Sequence, residues 1–214
     1  MPPRLLRLFF RLLYHQLAWS YGLVAGVVSL GRWNDWVRSA VPFVQGSRVL
    51  ELAYGTGILQ RALSQRQPAF VAGIDESRQM ARLAHHRLRS VGHAGSHLIQ
   101  ARAQRLPHRG EAFDCVVATF PTEFILDGDT LHEVRRVLGA SGRFVVVAAA
   151  WILGGHLVDR AAAWLFRSTR QSPALPPAKA AAEFVAPLEE AGFRTSIHWL
   201  ELRSSMVLIL VASK

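Results

Sequence analysis

Apolar positions along this chain follow two rhythms. Short unbroken runs, such as Val49-Leu50, Cys115-Val116-Val117-Ala118 and Phe144-Val145-Val146-Val147, suit strands buried on both faces. Between them, apolar residues recur at helical spacing, as Met80, Leu83, Ala84 and Leu88 do within 77–90. The predicted order from residue 48 is strand 48–52, helix 58–65, strand 70–74 closed by Asp75, and helix 77–90. Strands 97–101 and 113–119, helix 129–138, a turn at 139–142 and strand 143–148 follow. Strands alternating with helices build right-handed β-α-β units and a parallel sheet. The end of the chain reads differently: helix 179–191, then strands 195–201 and 205–212 joined by a tight turn, an antiparallel hairpin. The expected fold is α/β, a Rossmann-like mixed seven-stranded sheet with helices on both faces, an antiparallel C-terminal hairpin and extra N-terminal helices.

Two segments fall outside that rhythm. Residues 3–30 read as two helices and 33–41 as a third, interrupted by Pro42. Arg4, Arg7 and Arg11 lie on one side of the first helix and Leu and Phe fill the rest, a basic amphipathic pattern suited to a membrane interface or to capping the chain's own site. The uncharged stretch 16–31 is shorter than the roughly 20 residues a spanning helix needs. The second segment, 151–177, is a helical insertion rich in exposed-looking Trp, Leu and Phe that would act as a lid, a lipid-facing surface or a contact. The expected organisation is therefore one domain over 1–214: a helical cap at 1–41, a ligand-binding core at 45–150, the insertion at 151–177, and a closing helix and hairpin at 178–214.

Composition narrows the classes. Half of the 214 residues are hydrophobic, which argues against disorder. The net charge is +10, and Lys179 and Lys214 are the only lysines among 25 basic residues. Such a charge permits anionic partners, but no lysine/arginine run interleaved with aromatics argues for nucleic acid. The lone Cys115 cannot form an intrachain disulfide, no metal-ligand spacing surrounds it, and a reducing cytosolic setting is the simplest reading.

The strongest chemical signal is the first strand-turn-helix unit, Glu51-Leu52-Ala53-Tyr54-Gly55-Thr56-Gly57. Glycines let the chain turn sharply and let a ligand approach the backbone, and the following helix offers free N–H groups. Dehydrogenase turns use GxGxxG after an apolar residue; here Glu51 precedes the turn and the spacing differs. The second signal is Asp75, 24 residues after Glu51, where a carboxylate can accept both hydroxyls of a ribose.

These residues resemble a family. Val49–Gly57, then Gly73-Ile74-Asp75 with Ser77 and Met80, then Ala103-Gln104 with Leu106-Pro107, then Phe113-Asp114 with Val116-Val117 look like successive motifs of class I S-adenosylmethionine (SAM)-dependent methyltransferases. Leu131, Val134, Val137-Leu138 and Ser141-Gly142-Arg143 continue the match, which covers about 45–150. Within the class the pattern is similar to the ubiquinone/menaquinone-biosynthesis type. The resemblance implies SAM as cofactor and a role for each matching position. Glu51 would anchor the methionine amino group, directly or through water. Ala53, Tyr54, Gly55 and Gly57 would form the turn beneath methionine and ribose. Asp75 would hold the ribose, Glu76 or Ser77 would border the adenine, and Ala103 and Gln104 would flank it. Thr119, Phe120 and Pro121 would face the sulfonium and the acceptor, and Tyr21 would close over the cofactor. Three positions depart from the pattern: Ala53 stands for a glycine, Arg102 for an acid, and Gly22 for an aspartate.

The implied reaction is methyl transfer to a small, hydrophobic or lipid-like acceptor, with no metal, no nucleic acid and peripheral membrane contact through residues 1–13. Should the acceptor start protonated, His15, His108 and His156 are the candidate bases. Trp19, Trp33, Trp36, Phe120, Trp151 and Trp164 are candidates to line its pocket. Two other classes stay open on the residues alone: an NAD(P)-dependent oxidoreductase, and a membrane-associated protein that binds SAM without turnover.

Overall fold

The computed structural model describes Ser29 and residues 31–66, 69–90, 97–153 and 176–214. Helix α1 (Trp33–Arg38) and a 3-10 turn (Val41–Phe43) lead into β1 (Arg48–Leu52). Next come α2 (Ile58–Ser64), β2 (Phe70–Asp75), α3 (Arg78–Arg89), β3 (His97–Gln100) and β4 (Phe113–Thr119). A second 3-10 turn (Glu123–Leu126), α4 (Gly128–Val137), β5 (Leu138–Ile152), α5 (Pro177–Glu190), β6 (Arg194–Leu202) and β7 (Ser205–Ser213) complete the order.

All seven strands join one sheet in the order β3-β2-β1-β4-β5-β7-β6. The first five run parallel, and β7 is antiparallel to both β5 and β6. Strand order moves one way from β1 to β3 and the other way from β1 through β4 to β5. Right-handed crossovers then place α2 and α3 on one face and α4 on the other. One face buries Trp36, Leu59, Leu63, Cys115, Val117, Val145 and Val147; the opposite one buries Leu52, Ile74, Val116, Val134, Phe144 and Leu188. Alternate residues of each strand feed the two layers, as unbroken apolar runs require.

The fold and the antiparallel hairpin match expectation, and Cys115 is a buried strand residue. Boundaries differ where side-chain pattern was a poor guide. Strand β5 is 15 residues long and takes in the expected turn at 139–142. It also claims Trp151 and Ile152 from the supposed insertion, because they pair with Met206 and Ser205. The third N-terminal helix stops at Arg38, and Pro42 sits in a 3-10 turn that spares its missing N–H. Strand β6 is the sheet's edge and leaves Ile197 and Trp199 exposed. Most of the N-terminal segment, and 154–175 of the insertion, lie outside the described residues.

Asp114 ties the start of β1 to β4. Its Oδ2 accepts the backbone N–H groups of Ser47 and Arg48 at 2.9 and 3.0 Å, and its Oδ1 accepts Arg48 Nη2 at 2.5 Å. Gly46 is required beside it: a side chain there would meet Asp114 Cβ at 2.3 Å, and its φ is +83°.

Candidate active site

Sheet order reverses between β1 and β4, and the crevice above such a reversal, at the carboxyl ends of parallel strands, is where open α/β sheets take ligands. A cavity of about 570 Å³ opens there. Ala53 and Gly55 come from the turn after β1, and Asp75, Glu76 and Ser77 from the end of β2. Ala103 and Gln104 follow β3, and Thr119 and Phe120 close β4. With Pro121, the structure thus gathers ten of the fourteen sequence-predicted positions on one wall.

The turn is built by left-handed backbone. Ala53, Gly55 and Gly57 have φ of 52°, 53° and 77°. Gly57 must also be small, because an added Cβ would sit 3.0 Å from Ala84 on α3. Ala53 tolerates a conformation that costs a non-glycine residue about 1–2 kcal/mol.

Asp75 is fixed by this turn. Its Oδ2 accepts the N–H of Gly55 at 2.9 Å and its Oδ1 that of Ser77 at 2.8 Å. Each oxygen keeps a lone pair free for a hydroxyl. Burial raises its pKa above the usual range, and the two N–H groups pull it back. Ser77 caps α3 by accepting the N–H of Met80 at 3.3 Å.

Glu51, Tyr54 and Gly57 lie behind the wall rather than on it. Glu51 is 1 % exposed, and its Oε2 has no hydrogen-bond partner among the described residues. Burial pushes its pKa up to about 8; the Gln60 side chain opposes this and Asp75 adds to it. Tyr54 is buried too, its hydroxyl is likewise unpartnered among the described residues, and burial raises its pKa. Gly73, beside Glu51 in the register, leaves the space these groups use: a Cβ there would meet Tyr54 Cδ1 at 2.8 Å and Gln60 Nε2 at 2.9 Å.

Arg102, the departure from the expected acid, pairs with Glu76 at 3.1 Å on the cavity rim. Gln104 Nε2 donates to Asp127 Oδ2 at 3.3 Å. Phe120 has a φ of 47° and donates its N–H to Val147 O at 2.8 Å. Its ring lies against Trp33 (4.8 Å between centroids) and Trp36 (6.2 Å). Those tryptophans therefore support the cavity through Phe120 rather than lining it.

Other candidates are elsewhere. His108 packs edge-on to Phe113 at the start of β4, about 20 Å of strand from Thr119, so it cannot act as a base in this cavity. Trp151 packs against Trp199 at 5.8 Å, off the cavity wall. Tyr21, His15, Trp19, His156 and Trp164 fall outside the described residues. Sequence reasoning missed Phe124, Thr122 and Ala101 on the wall. The apolar Phe124-Ile125-Leu126 after Pro121 was the available signal for Phe124. Among the described residues no group of side chains is placed to hold a metal ion, and no helix is long and apolar enough to cross a membrane.

Comparison with known proteins agrees with this geometry. Residues 49–142 match a family described as a methyltransferase domain. The ubiquinone/menaquinone biosynthesis C-methyltransferase UbiE of Edwardsiella ictaluri is 32 % identical over 143 residues, covering 63 % of this chain and 56 % of that protein. UbiE of Pasteurella multocida is 32 % identical over 143 residues, with 63 % and 53 % covered. The chain spans about half the length of these relatives. A SAM-dependent methyltransferase from Aquifex aeolicus superposes with a TM-score of 0.62 at 18 % identity, over 85 % of this chain and 92 % of that one. The geranyl diphosphate C-methyltransferase of Streptomyces coelicolor gives 0.60 at 12 % identity, over 84 % and 78 %.

In fold this chain is similar to solved SAM-dependent methyltransferases, and residues 49–142 match a methyltransferase-domain family. In sequence it is similar to the ubiquinone/menaquinone C-methyltransferases of the UbiE type.

Proposed function

We propose that this chain transfers a methyl group from SAM to a small hydrophobic acceptor, of the quinone-like kind that the names of its relatives indicate. The observation that carries the reading is Asp75. It stands at the carboxyl end of β2, on the cavity beside the reversal of strand order, held by two backbone N–H groups, with lone pairs left for a ribose. A second feature supports SAM: the Glu51 oxygen, buried behind Ala53 and unpartnered among the described residues, would become a counter-charge for an ammonium group once its carboxyl ionised. Gly55 lets the cofactor approach the main chain, Asp75 would hold the ribose, and Met80, Ala101 and Ala103 offer an apolar slot for the adenine.

When bound, SAM supplies an already activated methyl group. The chain's own work is to position the acceptor in line with that methyl and to exclude water. Phe120, Pro121 and Phe124 give the acceptor side of the cavity an apolar surface. Residues 1–13, basic and amphipathic in sequence, would bring the chain to a membrane holding such acceptors.

Calorimetric titration tests the cofactor. SAM and S-adenosylhomocysteine should bind and NADH should not. Asp75→Ala should weaken SAM binding by about 1.5–3 kcal/mol, roughly 10- to 150-fold, through loss of charged hydrogen bonds. An unchanged affinity would remove Asp75 from the site. Transfer of radiolabelled methyl from SAM to demethylated quinols in detergent tests the acceptor; labelling of polar substrates alone would overturn that choice.

A further inference from the structure

Charge is unevenly distributed over this fold. Residues 58–90 carry Arg61, Arg66, Arg78, Arg82, Arg87 and Arg89, and no acid except Asp75 and Glu76. Those two are already engaged at the cavity, by backbone N–H groups and by Arg102. On α3, Arg78, Arg82, His86 and Arg89 recur every three or four residues, so they form a stripe on one side. All four are exposed. The stripe spans about 17 Å of helix. A shallow hollow lined by Arg82, His85, His86, Arg89 and Ser90 lies along it.

No carboxylate among the described residues pairs with the stripe. Among the described residues Arg82 and Arg89 make neither a hydrogen bond nor an ion pair. Arg87 turns inward and donates to Thr56 O and Oγ1 at 2.7 and 2.6 Å. Residues 1–34 hold no carboxylate, and the undescribed segments contribute only Asp159, beside Arg160, Arg167 and Arg170. The stripe is therefore open to an anionic partner.

We infer that α3 docks on a membrane surface bearing anionic phospholipid headgroups. Three features favour that partner over nucleic acid. The stripe is a convex helix side, not a groove. Helix α3 carries no Phe, Tyr or Trp on which bases could stack. Residues 4–14 repeat the same chemistry, arginines among Leu and Phe, and the chain that follows them enters through α1. Helix α1 packs on α2, and α2 on α3, so the described chain enters the fold on the side of the sheet that carries α3. Each arginine near an anionic bilayer is worth about 1 kcal/mol, about fivefold in affinity.

The test is co-sedimentation of the full chain with phosphatidylcholine vesicles, with and without about one-third phosphatidylglycerol. Wild type should prefer the anionic vesicles. Arg82→Gln/Arg89→Gln should lose about 25-fold in affinity for them, whereas Arg194→Gln, on the β6 edge, should bind as wild type. Far-UV circular dichroism and the thermal midpoint check that the double variant is folded. Binding by the double variant within twofold of wild type would overturn the inference. So would tighter binding to a DNA or RNA oligonucleotide than to vesicles at the same salt.

Discussion

Glu51 combines full burial with an oxygen that no described residue satisfies, and its chemistry follows from that. With a pKa near 8 it is mostly protonated at neutral pH. The folded state then holds a proton that the unfolded chain releases near pH 4.5. Folding stability should therefore fall as pH rises from about 4.5 to 8, and level off above. The loss is on the order of 5 kcal/mol. Glu51→Gln should flatten that part of the curve, as followed by urea unfolding across pH; an unchanged slope would assign it to other groups. If an ammonium group settles against Glu51, its carboxyl ionises and gives up a proton. Binding heats for SAM at pH 7 should then depend on the buffer's ionisation enthalpy in wild type and not in Glu51→Gln. The acid before the turn was legible in the sequence because its place, one strand residue ahead of a glycine turn, is a matter of spacing. Its depth was not, since burial depends on Tyr54, Gln60 and the side-chain-free Gly73 arriving from other elements.

Among the elements, the β1 turn and α3 are locked by close approach. Gly73→Ala would drive a methyl group into Tyr54 and Gln60, and Gly57→Ala would press on Ala84 from a left-handed backbone. Each should cost about 1–3 kcal/mol by overpacking or backbone strain, measured as a shift in urea midpoint. Gly73→Ala should also weaken SAM binding, because Tyr54 supports the turn that bears Gly55. A wild-type midpoint for both would mean the turn has room to spare. Strand and helix order were readable from periodicity, and so was the hairpin. The ends of β5 were not: Gly139 and Gly142 resemble a turn, and Trp151 a lid residue, until β7 supplies the partner that keeps them extended. Phe124 went unread for a similar reason. It reaches the cavity from a 3-10 turn of only four residues, too short to show a period.

For the whole molecule, acid and salt are the informative variables. Asp114 is held at a pKa of about 2 by its hydrogen bond with the Arg48 guanidinium and by two backbone N–H groups. The stabilisation it gives is full above about pH 4 and is lost as pH falls through 2. Asp114→Ala should therefore destabilise the protein by about 1–3 kcal/mol at pH 7 and by less at pH 2–3, read from thermal midpoints. A net charge of +10 adds self-repulsion, so moderate salt should raise the wild-type midpoint. A midpoint insensitive to salt would show that the arginines are spaced widely enough not to oppose one another.

The arginines of 58–90 have a counterpart: residues 111–133 bear no arginine or lysine and six carboxylates, of which Asp114 and Glu133 are paired with Arg48 and Arg136. A body charged so unevenly would have an electric moment. Near a charged plane it experiences a torque as well as a pull, beginning about 10 Å away at 0.1 M salt. If α3 docks as inferred, arrival would be oriented before contact, and the mouth of the cavity, beside the first turn of α3, would meet the surface at a fixed attitude.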